Sequence, residues 1–322
     1  MQAAEVNLYS FRDPERIAPL LRAFNAVTNI KVKLTYATKG LIERIANEGE
    51  RSPADVLLTN EFGLLLDAQS RGLTQAIRSK VVEASVPATY RDPEGHWLGL
   101  TRRARVLVAS KARVGAETIT YDELADPKWK GRICVRSGKH PYNTTFVASM
   151  LVHHGAQRTE AWLNGVKANL ARPPTGGDRD QIHAVIKGDC DVAIVNSYYA
   201  ANLIAVDQQL REQKQTAIRV VFPEADGRGT HVSISGVALM KHAPNRDSGI
   251  KLIEFLTSEL GQRILSAVND EYPVTSTIDP PAVLAKWPPL KPDSVSLHKL
   301  AERRDEVQRL MDAVRFDNGP SD

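Results

Sequence analysis

The alternation of strand-like and helix-like segments is the feature that most constrains how this chain folds. A first series opens with the strand-like run Glu5–Tyr9 and the helix-like run Glu15–Thr28, and a second series runs from near Arg105 to Phe222. The strand-like run Ser235–Met240 then returns to the kind of segment that opened the first series. Repeated strand–helix order predicts an α/β fold with mainly parallel sheets flanked by helices.

The return of the chain predicts two discontinuous lobes. A chain of 322 residues is too long for one ordinary hydrophobic core. We predict an N-terminal lobe of residues 1–101 and 230–278 and a C-terminal lobe of residues 102–229 and 279–322, joined by crossover strands that form a hinge and a cleft. Because open α/β sheets bind ligands beyond the carboxyl ends of their strands, we look for functional residues there.

Composition and charge argue against several classes of protein. The net charge is only +4, and basic clusters such as Arg303-Arg304 are short, so we expect no nucleic-acid partner. No apolar run approaches the ~20 residues that span a bilayer, so we expect a protein that does not cross the membrane. We also expect it to be a monomer. The start, Met1–Glu5, leads directly into a strand-like run and fits a mature chain from which a signal peptide is absent. No nucleophile–base signature of an enzyme is present.

The two cysteines, Cys134 and Cys190, both lie in strand-like surroundings. Neither has a second cysteine or a histidine at the spacing of a zinc site. Because their flanks resemble neighbouring strands of one sheet, we favour a disulfide between them. Two buried free thiols are the alternative.

Three tyrosines follow strand-like runs at the points where helices are expected to begin. Tyr198 and Tyr199 come just after the apolar run that ends at Val195, and Tyr142 follows the strand around Cys134. Phenolate is a hard oxygen donor, and a bound trivalent cation such as Fe³⁺ would stabilise it against its ordinary pKa of about 10. Alternatively, the tyrosine pair packs against the protein and leaves its hydroxyls in water.

An anion could complete the shell of such a metal. The first amides of the helix expected after Tyr142, at Asn143, Thr144 and Thr145, are candidate donors because helix N-termini attract negative charge.

Longer motifs resemble one family over nearly the whole chain. They are Asn7–Ser10, Ala54–Leu57, Gly99–Arg105, Trp129–Ser137, Pro141–Asn143, Gly188–Tyr199 and Ser235–Ala238. The sequence resembles the periplasmic ferric-ion-binding proteins of bacterial iron ABC transporters. The resemblance implies a two-lobe periplasmic-binding-protein fold that closes on Fe³⁺ as transferrin does, a synergistic anion such as carbonate, a periplasmic location and delivery to an inner-membrane ABC permease.

The resemblance also assigns residues. Tyr142, Tyr198 and Tyr199 match the tyrosines that bind the metal, and Arg103 matches an arginine that interacts with the anion or the tyrosinates in some members. Many members carry a further histidine or tyrosine ligand just past the first strand, where this chain has Phe11–Pro14.

Three interpretations of that departure remain. Asp13 substitutes as a weak oxygen ligand, or the first lobe supplies no ligand, or the chain binds another solute such as an organic cation or a phosphonate. We favour the second and expect Ser10 to lie behind the ligands at most. An enzyme that uses the cleft is the remaining alternative.

Overall fold

The structure is a computed structural model that describes residues 4–205, 217–275 and 277–320. The strands are β1 Glu5–Ser10, β2 Lys31–Tyr36, β3 Val56–Thr59, β4 Thr74–Gln75, β5 Leu98–Ser110, β6 Ile133–Cys134, β7 Val192–Asn196, β8 Ile218–Val221, β9 Val232–Met240 and β10 Tyr272–Pro273. The helices are α1 Pro14–Thr28, α2 Leu41–Glu48, α3 Phe62–Ser70, α4 Lys80–Ser85, α5 Pro141–Ala168, α6 Asp178–Lys187, α7 Ser197–Ala205, α8 Arg246–Thr257, α9 Glu259–Asn269, α10 Leu297–Ala301 and α11 Arg304–Val314.

The chain divides into two compact units. Unit 1 comprises Met1–Arg102 and Ile234–Ala282, and unit 2 comprises Arg103–Ser233 and Val283–Asp322. The boundaries at Arg102 and Ser233 fall within β5 and β9, so each of these strands belongs in part to both units.

In unit 1, β1 lies between β2 and β3 and is parallel to both. Strand β1 alternates between partly exposed and buried residues up to Leu8 and is fully buried from there to Ser10, whereas all four residues of β3 are buried. Strand β9 is antiparallel to β3, and β10 is antiparallel to the start of β5. Helix α1 begins where the Asp13 carboxylate accepts the backbone N–H of Glu15, and it buries one apolar stripe in the core.

In unit 2, β7 is the central strand of the part that carries the candidate site. Strand β7 is parallel to β6 and antiparallel to β5. Strand β8 is also antiparallel to β5 and pairs with the edge of β5 that faces away from β7. Every residue of β7 is buried, which accounts for its near-continuous apolar sequence. Cys134 on β6 forms a disulfide with Cys190, just before β7.

The sheets are mixed. The mainly parallel arrangement predicted from the sequence describes β1–β3 and the β6–β7 pair, but the strands shared by the two units pair antiparallel with their neighbours. Among the described residues, no helix has both the length and the apolar character required to span a membrane.

Two helix starts bear on the site. The sequence suggests that a helix begins at Thr144 with Asn143 as its cap, but α5 begins at Pro141 and is capped by His140, because proline is well suited to the first helical position. Tyr142 therefore lies inside the first turn. The sequence pattern also predicts a helix over residues 200–211. Helix α7 begins earlier, at Ser197, and the predicted part beyond residue 205 lies outside the described residues.

Candidate metal centre

Tyr142 and the consecutive pair Tyr198 and Tyr199, which lie far apart in the sequence, meet in unit 2. Tyr142 lies in the first turn of α5, and Tyr198 and Tyr199 lie in the first turn of α7. The hydroxyl oxygens of Tyr142 and Tyr198 are 3.1 Å apart. The rings of Tyr198 and Tyr199 have centroids 4.2 Å apart and an interplanar angle of 32°. The structure thus brings together all three tyrosines that the sequence singled out.

The turn from β7 into α7 is fixed from behind. The Ser197 hydroxyl accepts the backbone N–H of Ala104 on β5 at 3.2 Å, and the backbone N–H of Asn196 donates to the Asp178 carboxylate at 2.7 Å. The side chains of Ser197 and Asp178 are both buried. These contacts determine the direction in which the first turn of α7 leaves the strand, and therefore where Tyr198 and Tyr199 stand.

The environment of Tyr198 favours its neutral form. Burial raises the pKa of Tyr198 well above its ordinary value, and the neighbouring Tyr142 and Tyr199 raise it further. The positive charge of Arg103 acts in the opposite direction. Adjacent phenols cannot all ionise unless a cation offsets the negative charge. A trivalent ion would supply that compensation, whereas a neutral solute would not.

Three arginines surround the tyrosine rings. Arg103 is only 1% exposed, and its guanidinium carbon lies 5.5 Å from the Tyr142 centroid and 6.0 Å from that of Tyr198. Arg136 lies 5.0 Å from the Tyr142 centroid and Arg179 lies 5.9 Å from the Tyr199 centroid. The sequence singled out Arg103 but not the other two. Arg136 follows β6, so the strand-end rule that found the tyrosines could also have found it.

A buried charged network lies behind the site and was missed at the sequence level. Arg105 donates from Nη1 to Asp178 at 2.7 Å and to Asn196 at 3.1 Å, and from Nη2 to Asn143 at 2.6 Å. Arg136 donates to the other oxygen of Asp178 at 3.3 Å. From the sequence, Asp178 belongs to a Gly-Gly-Asp loop, because no local pattern pairs it with an arginine 73 positions away.

The donors expected to form an anion cradle at Asn143, Thr144 and Thr145 have hydrogen-bond partners within the protein. The backbone N–H groups of Asn143 and Thr144 donate to the His140 carbonyl at 2.9 and 3.0 Å. The hydroxyls of Thr144 and Thr145 donate to the Pro141 carbonyl at 3.1 and 2.8 Å. The Asn143 amide donates to the carbonyls of residues 136 and 137. Because the helix begins three residues earlier than expected, these donors have partners within its first turns.

Ser10 and Asp13, the two candidates in unit 1, have local roles. The buried Ser10 hydroxyl accepts the Arg12 N–H at 2.9 Å and donates to the Arg12 carbonyl at 3.1 Å, which closes a tight turn. The exposed Asp13 carboxylate accepts the Glu15 N–H at 2.9 Å and caps α1. These contacts give Ser10 and Asp13 local structural roles, and a part for either of them in binding metal or anion stays a prediction.

His140 supports the start of α5. Its Nδ1 lies 3.2 Å from the Tyr142 backbone nitrogen, which donates to it, and its ring packs edge-on against Tyr142 with centroids 4.4 Å apart. Burial and the positive charge of Arg136 lower the pKa of His140 to about 4, so Nδ1 is an acceptor at neutral pH. Within the described ranges, no group of three or more His, Cys, Asp or Glu side chains is arranged to hold a metal ion. The candidate donor set is therefore phenolic.

Comparison with known proteins places the chain in a family. The family model of bacterial extracellular solute-binding proteins matches residues 51–295. The chain belongs to this family. This solute-binding protein is 42% identical over 309 residues to the iron uptake protein A1 of Synechocystis, covering 95% of this chain and 86% of that protein.

Solved structures support the same placement. A ferric iron-binding protein A of Mannheimia haemolytica in an open conformation matches this solute-binding protein with a TM-score of 0.93 and 44% identity, covering 98% and 99% of the two chains. A Trichodesmium protein solved in complex with iron and citrate ligands matches with a TM-score of 0.93 and 39% identity, covering 97% and 100%. These matches confirm the predicted two-lobe periplasmic-binding-protein fold.

Proposed function

We propose that this solute-binding protein captures ferric iron through Tyr142, Tyr198 and Tyr199 and delivers it for uptake. The observation that carries the proposal is the 3.1 Å separation of the Tyr142 and Tyr198 hydroxyl oxygens, with the Tyr199 ring stacked beside Tyr198. Oxygen atoms this close can serve as neighbouring ligands of one ion. The relatives' names, iron uptake protein and ferric iron-binding protein, support the same assignment.

The chemistry of the donor set favours Fe³⁺. Three phenolates would offset three positive charges, and hard oxygen donors suit a hard cation. Phenols that stay neutral without a metal would lose protons only when such an ion arrives, so binding is selective for ions of high charge. Divalent ions would compensate less of the negative charge.

A synergistic anion, such as carbonate, would complete the coordination shell in this proposal. The backbone N–H groups of Asn143 and Thr144 already bond to the His140 carbonyl. We therefore take the guanidinium groups of Arg103, Arg136 and Arg179 as better candidates to attract the anion. The related Trichodesmium protein was solved in complex with iron and citrate ligands, which is consistent with an anion that accompanies iron.

We further propose that the protein works in the periplasm as a monomer, that an inner-membrane ABC permease receives its iron, and that it is a carrier rather than an enzyme. The names of several relatives include the words periplasmic or iron uptake.

The decisive experiment is an aerobic titration of purified iron-free protein with Fe³⁺, with and without carbonate, read by visible absorbance. Phenolate-to-iron charge transfer should give a red-orange colour that saturates at one iron per chain. Tyr198→Phe and Tyr199→Phe should lose most of that colour, whereas Tyr36→Phe, which alters an exposed tyrosine of unit 1, should retain it. A colourless protein under all anion conditions would sink the proposal.

The arginines favour one second candidate, an organic anion such as a phosphonate. Three guanidinium groups within 6.0 Å of tyrosine ring centroids would suit a negatively charged solute, with the rings as walls. Calorimetry against phosphonates in iron-free buffer separates the two functions. Binding without iron, and without colour, would favour this second function.

A further inference from the structure

One buried arginine connects the two segments from which the tyrosines project. Arg105, on β5, is 1% exposed and directs its two terminal nitrogens at different elements. Nη2 donates to Asn143 on α5 at 2.6 Å, and Nη1 donates to Asn196 at the end of β7 at 3.1 Å. Asn143 directly follows Tyr142, and Asn196 precedes Tyr198 by two positions. A single planar group therefore spans both ligand-bearing segments.

Asp178 holds that arginine in place. Its Oδ2 accepts from Arg105 Nη1 at 2.7 Å and from the Asn196 backbone at 2.7 Å, and its Oδ1 accepts from Arg136 at 3.3 Å. The carboxylate is fully buried. The orientation of the guanidinium is thus determined by a second charged group, which itself contacts the strand end.

We propose that Arg105, oriented by Asp178, is a positioning residue that sets the separation of the Tyr142 and Tyr198 hydroxyls and so the geometry of the ferric site. This inference rests on the proposed function for its effect on iron, but its effect on the tyrosines stands independently. The side-chain hydrogen bonds of Arg105 go to Asp178, Asn196 and Asn143, so it acts on the tyrosines through Asn143 and Asn196.

Stability alone gives little reason for such a network. Removing two opposite charges from water is expensive, and replacing a buried ion pair with apolar residues is often neutral or stabilising. A precise ligand geometry gives a better reason. Metal sites require their ligands to be held within about 0.5 Å, and loss of an outer supporting partner typically reduces metal affinity about 10–100-fold.

The side-chain chemistry explains why arginine fits this position. Its rigid fork presents several N–H donors in fixed directions, whereas lysine carries one compact charge on a flexible stem. Arg105→Lys therefore keeps the charge and loses the simultaneous hold on Asn143 and Asn196. Asp178→Asn keeps the shape of the anchor and weakens its grip on Arg105.

The test compares Arg105→Lys with a matched control. Arg113 in the same unit also bonds one carboxylate, that of Asp191, and two carbonyls, those of Val185 and Cys190, but it contacts neither Asn143 nor Asn196. In iron-loaded protein, Arg105→Lys should shift and weaken the charge-transfer band and speed iron release to a chelator at least tenfold. Arg113→Lys should change neither by more than twofold. Unchanged colour and release rate in Arg105→Lys would overturn the proposal.

A second measurement needs no iron. In iron-free protein with ¹³C-labelled tyrosine, Arg105→Lys should shift or broaden the Tyr142 and Tyr198 ring signals and leave the signal of Tyr36 unchanged. If Arg105→Lys does not fold, Asp178→Asn is measured in the same way. A wild-type protein that stays colourless with Fe³⁺ defeats the proposed function only, whereas unperturbed ring signals in a folded variant defeat the positioning role.

Discussion

The hydroxyl oxygens of Tyr142 and Tyr198 lie within hydrogen-bonding distance of one another, at 3.1 Å, although 56 positions separate the two residues in the chain. In the metal-free state one hydroxyl donates a hydrogen bond to the other. Two phenolates at that distance would repel each other strongly, so the contact stabilises neutral phenols and must break when both oxygens bind a cation. Iron binding and proton release are therefore coupled at this site.

The first prediction is that Fe³⁺ binding releases protons in proportion to the number of tyrosines that bind. Because the pKa of Tyr198 is raised well above its ordinary value, its phenol is protonated at neutral pH and must lose that proton to bind iron. With three tyrosinate ligands we expect about three protons per iron, and affinity that rises steeply with pH. Calorimetry in buffers of different ionisation enthalpy measures the number.

The control for that prediction is Tyr198→Phe, which should release about one proton fewer per iron bound. The exposed Tyr36→Phe variant should match the wild-type protein. Iron binding with no proton release would show that the phenols are not its ligands.

The second prediction concerns Arg103. The positive charge of Arg103 lowers the pKa of Tyr198 against the larger effect of burial. Arg103→Gln should therefore raise that pKa further, weaken Fe³⁺ binding at pH 7 and move the binding curve towards higher pH. Iron titrations from pH 6 to pH 9 measure the shift. Arg103→Lys should recover part of the affinity, and an unchanged pH profile in Arg103→Gln would contradict the argument.

Much of this site follows from a rule about strand ends. Tyr198 and Tyr199 come just after β7, a run of five buried residues, and this location made them candidate ligands in the sequence. Arg105 and Asp178 could not be found in this way. Each is unremarkable in its own segment, and the 73 positions between them carry no periodic signal that would pair them.

Helix starts were harder to place than helices. Pro141 indicates a helix that begins at residue 141, because proline is common at the first helical position. Asn143 is also a favoured N-cap residue, so the sequence equally indicates a helix that begins at residue 144. In the structure the Asn143 side-chain oxygen accepts from Arg105 instead, a tertiary contact that the local sequence does not reveal. The three-residue difference in helix start places the N–H groups of Asn143 and Thr144 in bonds to the His140 carbonyl.

The third prediction separates capping from coordination at Asp13. Asp13→Ala removes the acceptor for the Glu15 N–H and should lower the free energy of unfolding by about 1 kcal/mol. Asp13→Ser restores a cap and should recover most of that loss. Urea unfolding of the iron-free protein measures both. Neither variant should change the iron colour; bleaching by both would make Asp13 a ligand after all.

The last prediction concerns acid stability and His231, which lies in unit 2 and is 3% exposed. Burial is the main reason that the pKa of His231 is lowered to about 3, and the charges of Arg105, Arg228 and His153 lower it further against the opposing effect of Asp293. Among the described residues its Nε2 has no hydrogen-bond partner. The folded protein therefore keeps this ring neutral, whereas the unfolded chain protonates it near pH 6.5.

The sign follows from which state binds the proton. Above pH 6.5 neither state is protonated and His231 adds no pH dependence. Between about pH 6.5 and pH 3 only the unfolded chain binds the proton. His231 therefore lowers the free energy of unfolding by ~1.4 kcal/mol for each unit by which the pH falls.

His231→Gln should be less stable at pH 7. Between pH 6 and pH 4.5 its free energy of unfolding should depend less steeply on pH, by about one proton, as measured by urea unfolding at each pH. The exposed His242→Gln variant should keep the wild-type slope. If the free energy of unfolding of His231→Gln falls as steeply with decreasing pH as that of the wild-type protein, other groups cause the acid sensitivity, because glutamine does not titrate.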